Sequence, residues 1–323
     1  MIARRALGLA AASSPLASSL RAADPARIAV VLSGTPQTHT VFLAAFRRGL
    51  TRHGLVEGRE VVLADHYLEG DFSRLPELAL AIMRSQPRII VAAPGRIVAG
   101  LRHETTTIPI VMATGADPVG VGLAASLARP GGNVTGLSNQ GADVVEKQFG
   151  FLPELLPGLR RVLGLRGATA LASGTIEAEF LRLSERLGIA ARSFIMDDRP
   201  DFDRLRATIA EHRPDALFVF NDPVPFAHRR AIVAIADSMR LPTVAPFRDF
   251  AEVGALASYG ANLVDAWERA AWFVDRILKG ANPAEMPIEQ PTRFELVINM
   301  KTARALGLTI PASILAGADE VIE

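Results

Sequence analysis

Two successive series of alternating strands and helices constrain the fold of this chain more than any other feature. Short apolar runs such as 28–32 and 88–93 alternate with amphipathic stretches in the first half, and the second half repeats the rhythm around its clearest strand, 215–220. Strands that alternate with helices form mostly parallel sheets that are covered on both faces. We therefore expect an α/β fold with two doubly wound, Rossmann-like lobes.

Ligands of doubly wound sheets collect at the carboxyl ends of the strands. With two lobes, these ends face a shared cleft, so the residues that matter should follow strands rather than lie within helices. The loops that qualify are found at 33–38, 94–96, 114–119, 137–140, 221–225, 246–248 and 258–262.

Composition excludes several functions. The 323 residues suffice for two domains, and 35 basic against 34 acidic residues leave no charge excess that would recruit nucleic acid. The lack of cysteine excludes disulfides, zinc–thiolate sites, iron–sulfur clusters and thiol catalysis. The six histidines include no pair at i,i+4, so we expect no metal site.

Known catalytic and cofactor motifs give no support for an enzyme. The sequence contains neither a phosphate-binding GxxxxGK[ST] motif nor a GxSxG motif. Residues 120–125 satisfy a GxGxxA pattern, but Asp117 and Pro118 separate it from the preceding strand, so close packing of a short helix explains it better. We expect no catalytic residue and no cofactor.

Residues 1–26 have the pattern of a secretory signal peptide. Arg4 and Arg5 precede an uncharged run of 15 residues, which is too short and too rich in serine to span a membrane. The paired arginines are a loose match to the twin-arginine export signal, and a frayed, alanine-rich cytoplasmic tail is the alternative. We expect this segment to be removed and the mature protein to be periplasmic.

Three polar side chains that follow predicted strands are open to two interpretations. Asp117 either caps the helix that starts near residue 119 or accepts hydrogen bonds from a ligand. Asn221 and Asp222 follow the strand at 215–220, and one of them can cap the next helix while the other faces the cleft.

Several motifs resemble those of one protein family. The most specific is the run SLARPGGNVTG at 126–136, and the others are found at 106–111, 117–119, 277–280, 294–299, 305–311 and 318–323. From about residue 27 to its end, the chain is similar to the periplasmic substrate-binding proteins of ABC transporters. The group it resembles includes tryptophan- and tyrosine-binding members.

The resemblance implies the type I periplasmic binding protein fold, in which two hinged α/β lobes trap a ligand in the cleft between them. Lobe 1 is then expected to contain 27–137 plus about 260–284, and lobe 2 to contain 138–259 plus about 285–323. The implied function is the extracytoplasmic solute-binding component of an ABC transporter. Such a protein is expected to be a monomer that closes on a small ligand and delivers it to a permease in the inner membrane.

The resemblance also suggests ligand-binding positions in four loops, namely Ser33, Gly34, Thr35, Pro94, Gly95, Arg96, Thr114, Asp117, Asn221 and Asp222. Many relatives have a small polar residue where Arg96 stands. Arg96 therefore either binds a ligand carboxylate bidentately from the cleft or, as we favour, is a solvated surface charge.

An amino-acid-like ligand would suit these positions. Asp117 would hold its ammonium group, and the hydroxyl and backbone N–H groups after the first strand would hold its carboxylate. Phe247 or Phe226 would flank a planar side chain. Amino acids, aromatic acids and other small carboxylates all fit, so the ligand's identity stays open.

Other functions of two-lobed α/β chains are weaker alternatives. A transcription regulator would need a DNA-reading module before the first strand, where the signal pattern lies. An enzyme would need a nucleophile–base pair or a cofactor loop. A ligand-sensing domain of the same fold, which signals to a membrane receptor instead of feeding transport, is the alternative that the sequence does not separate from transport.

Overall fold

The structure is a computed structural model, and it describes residues 24–139, 142–168 and 173–323. All but the last three residues of the predicted signal peptide lie outside these ranges, as does Gln140 in one of the candidate loops. The first described strand starts at Ala26, which is the last residue of the predicted signal peptide.

The described strands form two sheets. The first sheet contains β1 (Ala26–Leu32), β2 (Val61–Tyr67), β3 (Ile89–Ala93), β4 (Ile110–Met112) and β5 (Val134–Gly136). The second contains β6 (Arg161–Gly167), β7 (Ala190–Met196), β8 (Ala216–Val219), β9 (Thr243–Ala245), β10 (Ala257–Ala261), β11 (Phe294–Asn299) and β12 (Glu320–Ile322).

Helices connect most of these strands, but β4 and β5 are joined by turns, so the short helix predicted to start near residue 119 does not form. The helices are α1 (Pro36–Arg52), α2 (Leu75–Ser85), α3 (Gly95–Glu104), α4 (Ala142–Leu155), α5 (Ser173–Arg186), α6 (Phe202–His212), α7 (Pro223–Ala227), α8 (Arg229–Ser238), α9 (Arg248–Glu252), α10 (Leu263–Leu278), α11 (Met300–Leu306) and α12 (Ala312–Gly317). Single 3-10 turns form at Phe72–Arg74 and Pro283–Glu285.

The strand order confirms the predicted α/β fold with two doubly wound lobes. The first sheet has the order β2-β1-β3-β4-β5, and all of its pairs are parallel. The second has the order β7-β6-β8-β9-β10-β11-β12, with one antiparallel pair, β10–β11. We call the first sheet and the helices packed on it lobe 1, and the second sheet with its helices lobe 2.

Helix α10 belongs to lobe 1 although strands of lobe 2 precede and follow it. Its Trp267 ring stacks on Phe42 of α1 at a centroid distance of 6.3 Å and meets Phe46 edge-on at 6.4 Å. The two helices approach closely at Gly49, where a Cβ would lie only 2.3 Å from the carbonyl oxygen of Glu268. The chain therefore leaves lobe 2 after β10 and returns to it before β11.

Apolar packing runs without a break from lobe 1 across to one face of the lobe 2 sheet. The opposite face of that sheet carries a separate core of buried rings. In this second core, Phe180 lies 5.1–5.8 Å from the rings of Phe149, Phe218 and Phe220. Along β8, side chains of this second core alternate with side chains that point to the opposite face of the sheet. This two-residue period is expected of a strand that is covered on both sides.

Strand β10 corrects the prediction of a loop at 258–262. The segment pairs with β9 and β11 over Ala257–Ala261. Its small residues lack the apolar run that marks the other strands, and Gly260 is required because a Cβ there would lie 1.8 Å from the carbonyl oxygen of Pro246. Helices α11 and α12 and strand β12 were also not predicted. In the ranges given above, no helix is both long and apolar enough to cross a membrane.

Candidate functional site

A cavity lies between the lobes at the carboxyl ends of β1, β3, β4 and β8. Counting the part open to solvent, its volume is about 740 Å³. Most of its lining residues follow strands, and helices α1 and α10 supply the rest. The lining residues are Ser33, His39, Phe42, Ala93, Pro94, Gly95, Arg96, Thr114, Gly115, Ala116, Asn139, Asn221, Asp222, Pro223, Phe226, Phe247, Leu263 and Trp267.

Aromatic rings from both lobes form the apolar side of this cavity. Phe42 and Trp267 come from lobe 1, and Phe226 and Phe247 come from lobe 2. Phe42 and Phe226 approach across the cleft with centroids 6.4 Å apart, and Phe226 meets Phe247 edge-on at 5.7 Å. Such a surface suits a flat apolar group, which gains both burial and ring stacking there.

His39 lies at the lobe 1 side of the cavity and is neutral. Its Nε2 lies 3.4 Å from the Ser33 hydroxyl and its Nδ1 lies 2.9 Å from the Thr38 hydroxyl. Burial, with the nearby positive charge of Arg229 as a second cause, lowers the pKa of His39 to about 3. A histidine with so low a pKa is a poor general base, so the Ser33–His39 contact is not an activated nucleophile.

Asp222 both lines the cavity and caps a helix. Its carboxylate accepts hydrogen bonds from the backbone N–H groups of Gly167, at 2.7 Å, and Val224, at 3.0 Å. The second of these bonds caps α7, and the first ties the end of β6 to the end of β8. Its neighbour Asn221 accepts a hydrogen bond from Asn139 Nδ2 at 3.4 Å, so both predicted residues of this loop face the cleft.

Arg96 joins the two lobes. Its guanidinium donates to both carboxylate oxygens of Asp198 in lobe 2, at 2.5 and 2.8 Å, and lies 4.5 Å from the centroid of the Phe72 ring. Only 17% of the Arg96 side chain is exposed. The interpretation of Arg96 as a solvated surface charge is therefore wrong. Its planar donor pair is directed at a protein carboxylate at the edge of the cavity.

Three of the predicted site residues do not line the cavity. Thr35 caps α1, exchanging hydrogen bonds with Thr38, and Gly34 packs against the His39 ring. Asp117 has a φ of 44°, and its Oδ1 accepts a hydrogen bond from the Gly120 N–H at 2.9 Å. This left-handed backbone turns the carboxylate to the following residues, 118–122, which form turns and not the predicted helix. Asp117 therefore makes the local hydrogen bond of a cap, without the helix, and does not line the cavity as an ammonium partner would.

The other predicted positions are brought together as expected from their places after strands. Ser33, Pro94, Gly95, Arg96, Thr114, Asn221, Asp222 and Phe247 all line one cavity. Sequence reasoning missed His39, Phe42, Asn139 and Trp267. Asn139 lay within a candidate loop, whereas the other three lie on helices, where no strand-end signal marks them. Within the described part of the chain, no group of three or more His, Asp and Glu side chains is arranged to hold a metal ion.

Comparison with known proteins agrees with this architecture. A structure of an ABC domain from Streptococcus pneumonia in complex with L-Trp is 27% identical, covers 92% of this chain and all of its own, and has a TM-score of 0.84. A conserved domain protein from Vibrio cholerae is 24% identical, covers 92% of this chain and 99% of its own, and also has a TM-score of 0.84. A tyrosine-binding protein of Clostridioides difficile is 21% identical over 264 residues, which are 81% of this chain and 75% of the relative.

Residues 27–322 match the family described as ABC transporter substrate binding protein. Proteins of this family are extracytoplasmic; they bind small ligands, work with ABC permeases and are not enzymes. Both the match along the chain and the two-lobed, type I periplasmic binding protein fold support the same assignment. The chain belongs to the family of ABC transporter substrate-binding proteins.

Proposed function

We propose that this protein binds a small aromatic solute that carries a polar end group, either amino-acid-like or an aromatic carboxylate, and delivers it to an ABC permease in the inner membrane. The observation that carries this proposal is the set of four rings, Phe42, Trp267, Phe226 and Phe247, drawn from both lobes around one cavity. A ring held between them would contact both lobes at once, which favours the closed arrangement.

The polar end of the solute has suitable partners at the start of α3. Pro94, Gly95 and Arg96 line the cavity, and the helix has no side-chain cap. Backbone N–H groups at a helix start bind carboxylates well, and the buried residues Ser33 and Thr114, which carry hydroxyl groups, line the same cavity. We propose this group of donors as the carboxylate site, with Asn221 and Asp222 opposite it.

Closure of the lobes involves contacts that form only when they meet. The Arg96–Asp198 ion pair crosses the cleft, and Arg199 of lobe 2 pairs with Asp71 of lobe 1 at 2.8 Å. A solute shifts the balance between open and closed forms only through interactions that differ between them. We propose the lobe boundaries near residues 138, 262 and 290, where the chain passes between the two sheets, and export through the N-terminal signal.

Relatives support the choice of solute. The Streptococcus structure that is 27% identical contains L-Trp, and the Clostridioides relative is a tyrosine-binding protein. Both ligands are aromatic amino acids, which combine a flat ring with a charged polar end. The aromatic lining of the present cavity fits this class of solute.

A thermal-shift titration of the purified chain tests the proposal. The probes are L-tryptophan, L-tyrosine, L-phenylalanine and benzoate, with L-leucine and glucose for comparison. At a probe concentration 100 times the Kd, binding adds about 2.7 kcal/mol to stability, which raises the Tm by roughly 4 °C for a chain of this size. The proposal is wrong if no aromatic probe raises the Tm or if only glucose does.

Ring-truncated variants locate the bound probe. Phe247→Leu should weaken binding of the best aromatic probe, because Phe247 lines the cavity. Phe218→Leu is the matched control, since Phe218 is equally buried but lies in the separate core on the far face of the lobe 2 sheet. Equal affinity in both variants would place the probe elsewhere.

A further inference from the structure

Asn139 stands where the chain first passes from lobe 1 to lobe 2, between β5 and α4. Its backbone N–H donates to the carbonyl oxygen of Gly115 in lobe 1 at 3.0 Å, and its Nδ2 donates to Asn221 Oδ1 in lobe 2 at 3.4 Å. One residue is therefore bonded to both lobes, and it is among the residues that line the cavity between them.

The other side-chain atom of Asn139 has an unused hydrogen-bonding capacity. The residue is only 6% exposed, and its Oδ1 has no hydrogen-bond partner among the described residues. Buried carbonyl oxygens in native proteins are nearly always paired, because an unpaired acceptor has lost its bonds to water without replacement. The Nδ2 bond to Asn221 assigns Oδ1 as the unused acceptor, so Oδ1 is available to a donor that a bound solute supplies.

The charges around the cavity favour a donor that is also positive. Besides His39, the cavity lining that the structure describes contains one basic and one acidic side chain, Arg96 and Asp222. The Arg96 charge is opposed by Asp198 at 2.5 Å, and the Asp222 carboxylate, which accepts hydrogen bonds from the Gly167 and Val224 N–H groups, lies beside Asn221. His39 adds no positive charge because burial keeps its pKa low. An ammonium group has three donors, no acceptor and the complementary charge.

We infer that Asn139 Oδ1 accepts a hydrogen bond from the amino group of the solute, and that Asn139 thereby makes the protein prefer amines over amine-free acids with the same ring. The inference rests on the proposed function and deepens it, since it assigns the amino end of the solute. Because Asn139 bonds to Gly115 of lobe 1 and to Asn221 of lobe 2, a solute bonded to Asn139 is linked to both lobes.

Three probes that share a phenyl ring separate the two ends of the solute. L-phenylalanine has both polar groups, 3-phenylpropionate lacks the amino group and 2-phenylethylamine lacks the carboxylate. Calorimetric Kd values are measured for the wild-type chain and for Asn139→Ala, Asn139→Asp and Asn133→Ala. Asn133 is a matched control, because it is also a buried amide near β5 but bonds to Thr105 and Ile108 away from the cavity.

The inference predicts that Asn139→Ala loses affinity only for the probes that carry an amino group. Asn139→Ala should raise the Kd of L-phenylalanine and of 2-phenylethylamine by about tenfold or more. The Kd of 3-phenylpropionate should change by less than about threefold. Asn139→Asp should retain binding of the two amines and weaken binding of 3-phenylpropionate. Asn133→Ala should leave the ratios between the three Kd values unchanged.

Two other results are decisive. An equal loss for all three probes in Asn139→Ala, or no loss, overturns the inference while leaving the proposed function intact, because a purely structural role would not discriminate between the probes. Failure of the wild-type chain to bind any aromatic probe overturns the proposed function, and the inference with it.

Discussion

The Arg96–Asp198 ion pair is the contact across the cleft whose energetic contribution the geometry constrains best. It has two nearly parallel N–H···O bonds of 2.5 and 2.8 Å, and its side chains are 17% and 24% exposed. The pair therefore lies between a fully exposed ion pair and a fully buried one. A double-mutant cycle with Arg96→Ala, Asp198→Ala and both changes together isolates its coupling energy.

The size of this coupling energy follows from two opposing effects. Attraction between unit charges 4 Å apart near a protein surface is about 4 kcal/mol, but removal of two ions from water offsets much of it. Exposed ion pairs contribute a net stabilisation of about 0.2–1 kcal/mol. We therefore expect a coupling energy of about 1–2 kcal/mol for the Arg96–Asp198 pair, which is bidentate and better shielded from water. Arg96→Ala alone should cost roughly 2–3 kcal/mol, because it also removes the stacking on Phe72.

Urea unfolding of the four proteins, followed by tryptophan fluorescence, measures these free energies. The second pair across the cleft, Arg199–Asp71, is the control. Its bond is equally short at 2.8 Å, but Arg199 is 81% exposed, so its cycle should give a clearly smaller coupling. A coupling for Arg96–Asp198 that is indistinguishable from zero, or no larger than that of the control pair, would refute the reasoning.

Two further predictions concern stability. Stability should decline as the pH falls from about 6.5 towards 3, because burial lowers the pKa of His39 to about 3 and the unfolded chain, with a histidine pKa of about 6.5, binds the proton first. His39→Gln should remove part of this decline, and the idea fails if its pH profile of urea midpoints parallels the wild type. Phe180→Ala should cost about 3–5 kcal/mol in urea unfolding, since Phe180 is fully buried among three other rings; a loss under about 1 kcal/mol would show that this core is loosely packed.

The part of the site that sequence reasoning could locate is the part that follows strands. Ser33, Thr114 and Asn221 each stand one or two residues after β1, β4 or β8, and parallel strands end at a common edge. Their convergence follows from the alternating pattern alone. Asp201 also follows a local rule, since an aspartate before an amphipathic stretch is a typical helix cap, and its side chain accepts a hydrogen bond from the Arg204 N–H at the start of α6.

The remaining part depends on contacts that a local pattern does not encode. Trp267 and Phe42 are ordinary apolar positions on helix faces, and only the packing of α10 on α1 brings them to the cleft. The role of Asp117 depends on its φ of 44°, which a sequence of Asp before Pro does not reveal. The partner of Arg96 lies 102 residues away in the other lobe, so neither of the two sequence-based interpretations included it.

The packing of α10 on α1 has a consequence for how the chain acquires its structure. Most of lobe 1 is synthesised first, yet the aromatic face of α1 is covered by a helix that emerges only after β10 of lobe 2. Until residue 278 is available, Phe42 and Phe46 lack the Trp267 ring against which they pack. The core of lobe 1 is thus completed only after α10 has been synthesised, when most of the lobe 2 strands have already emerged.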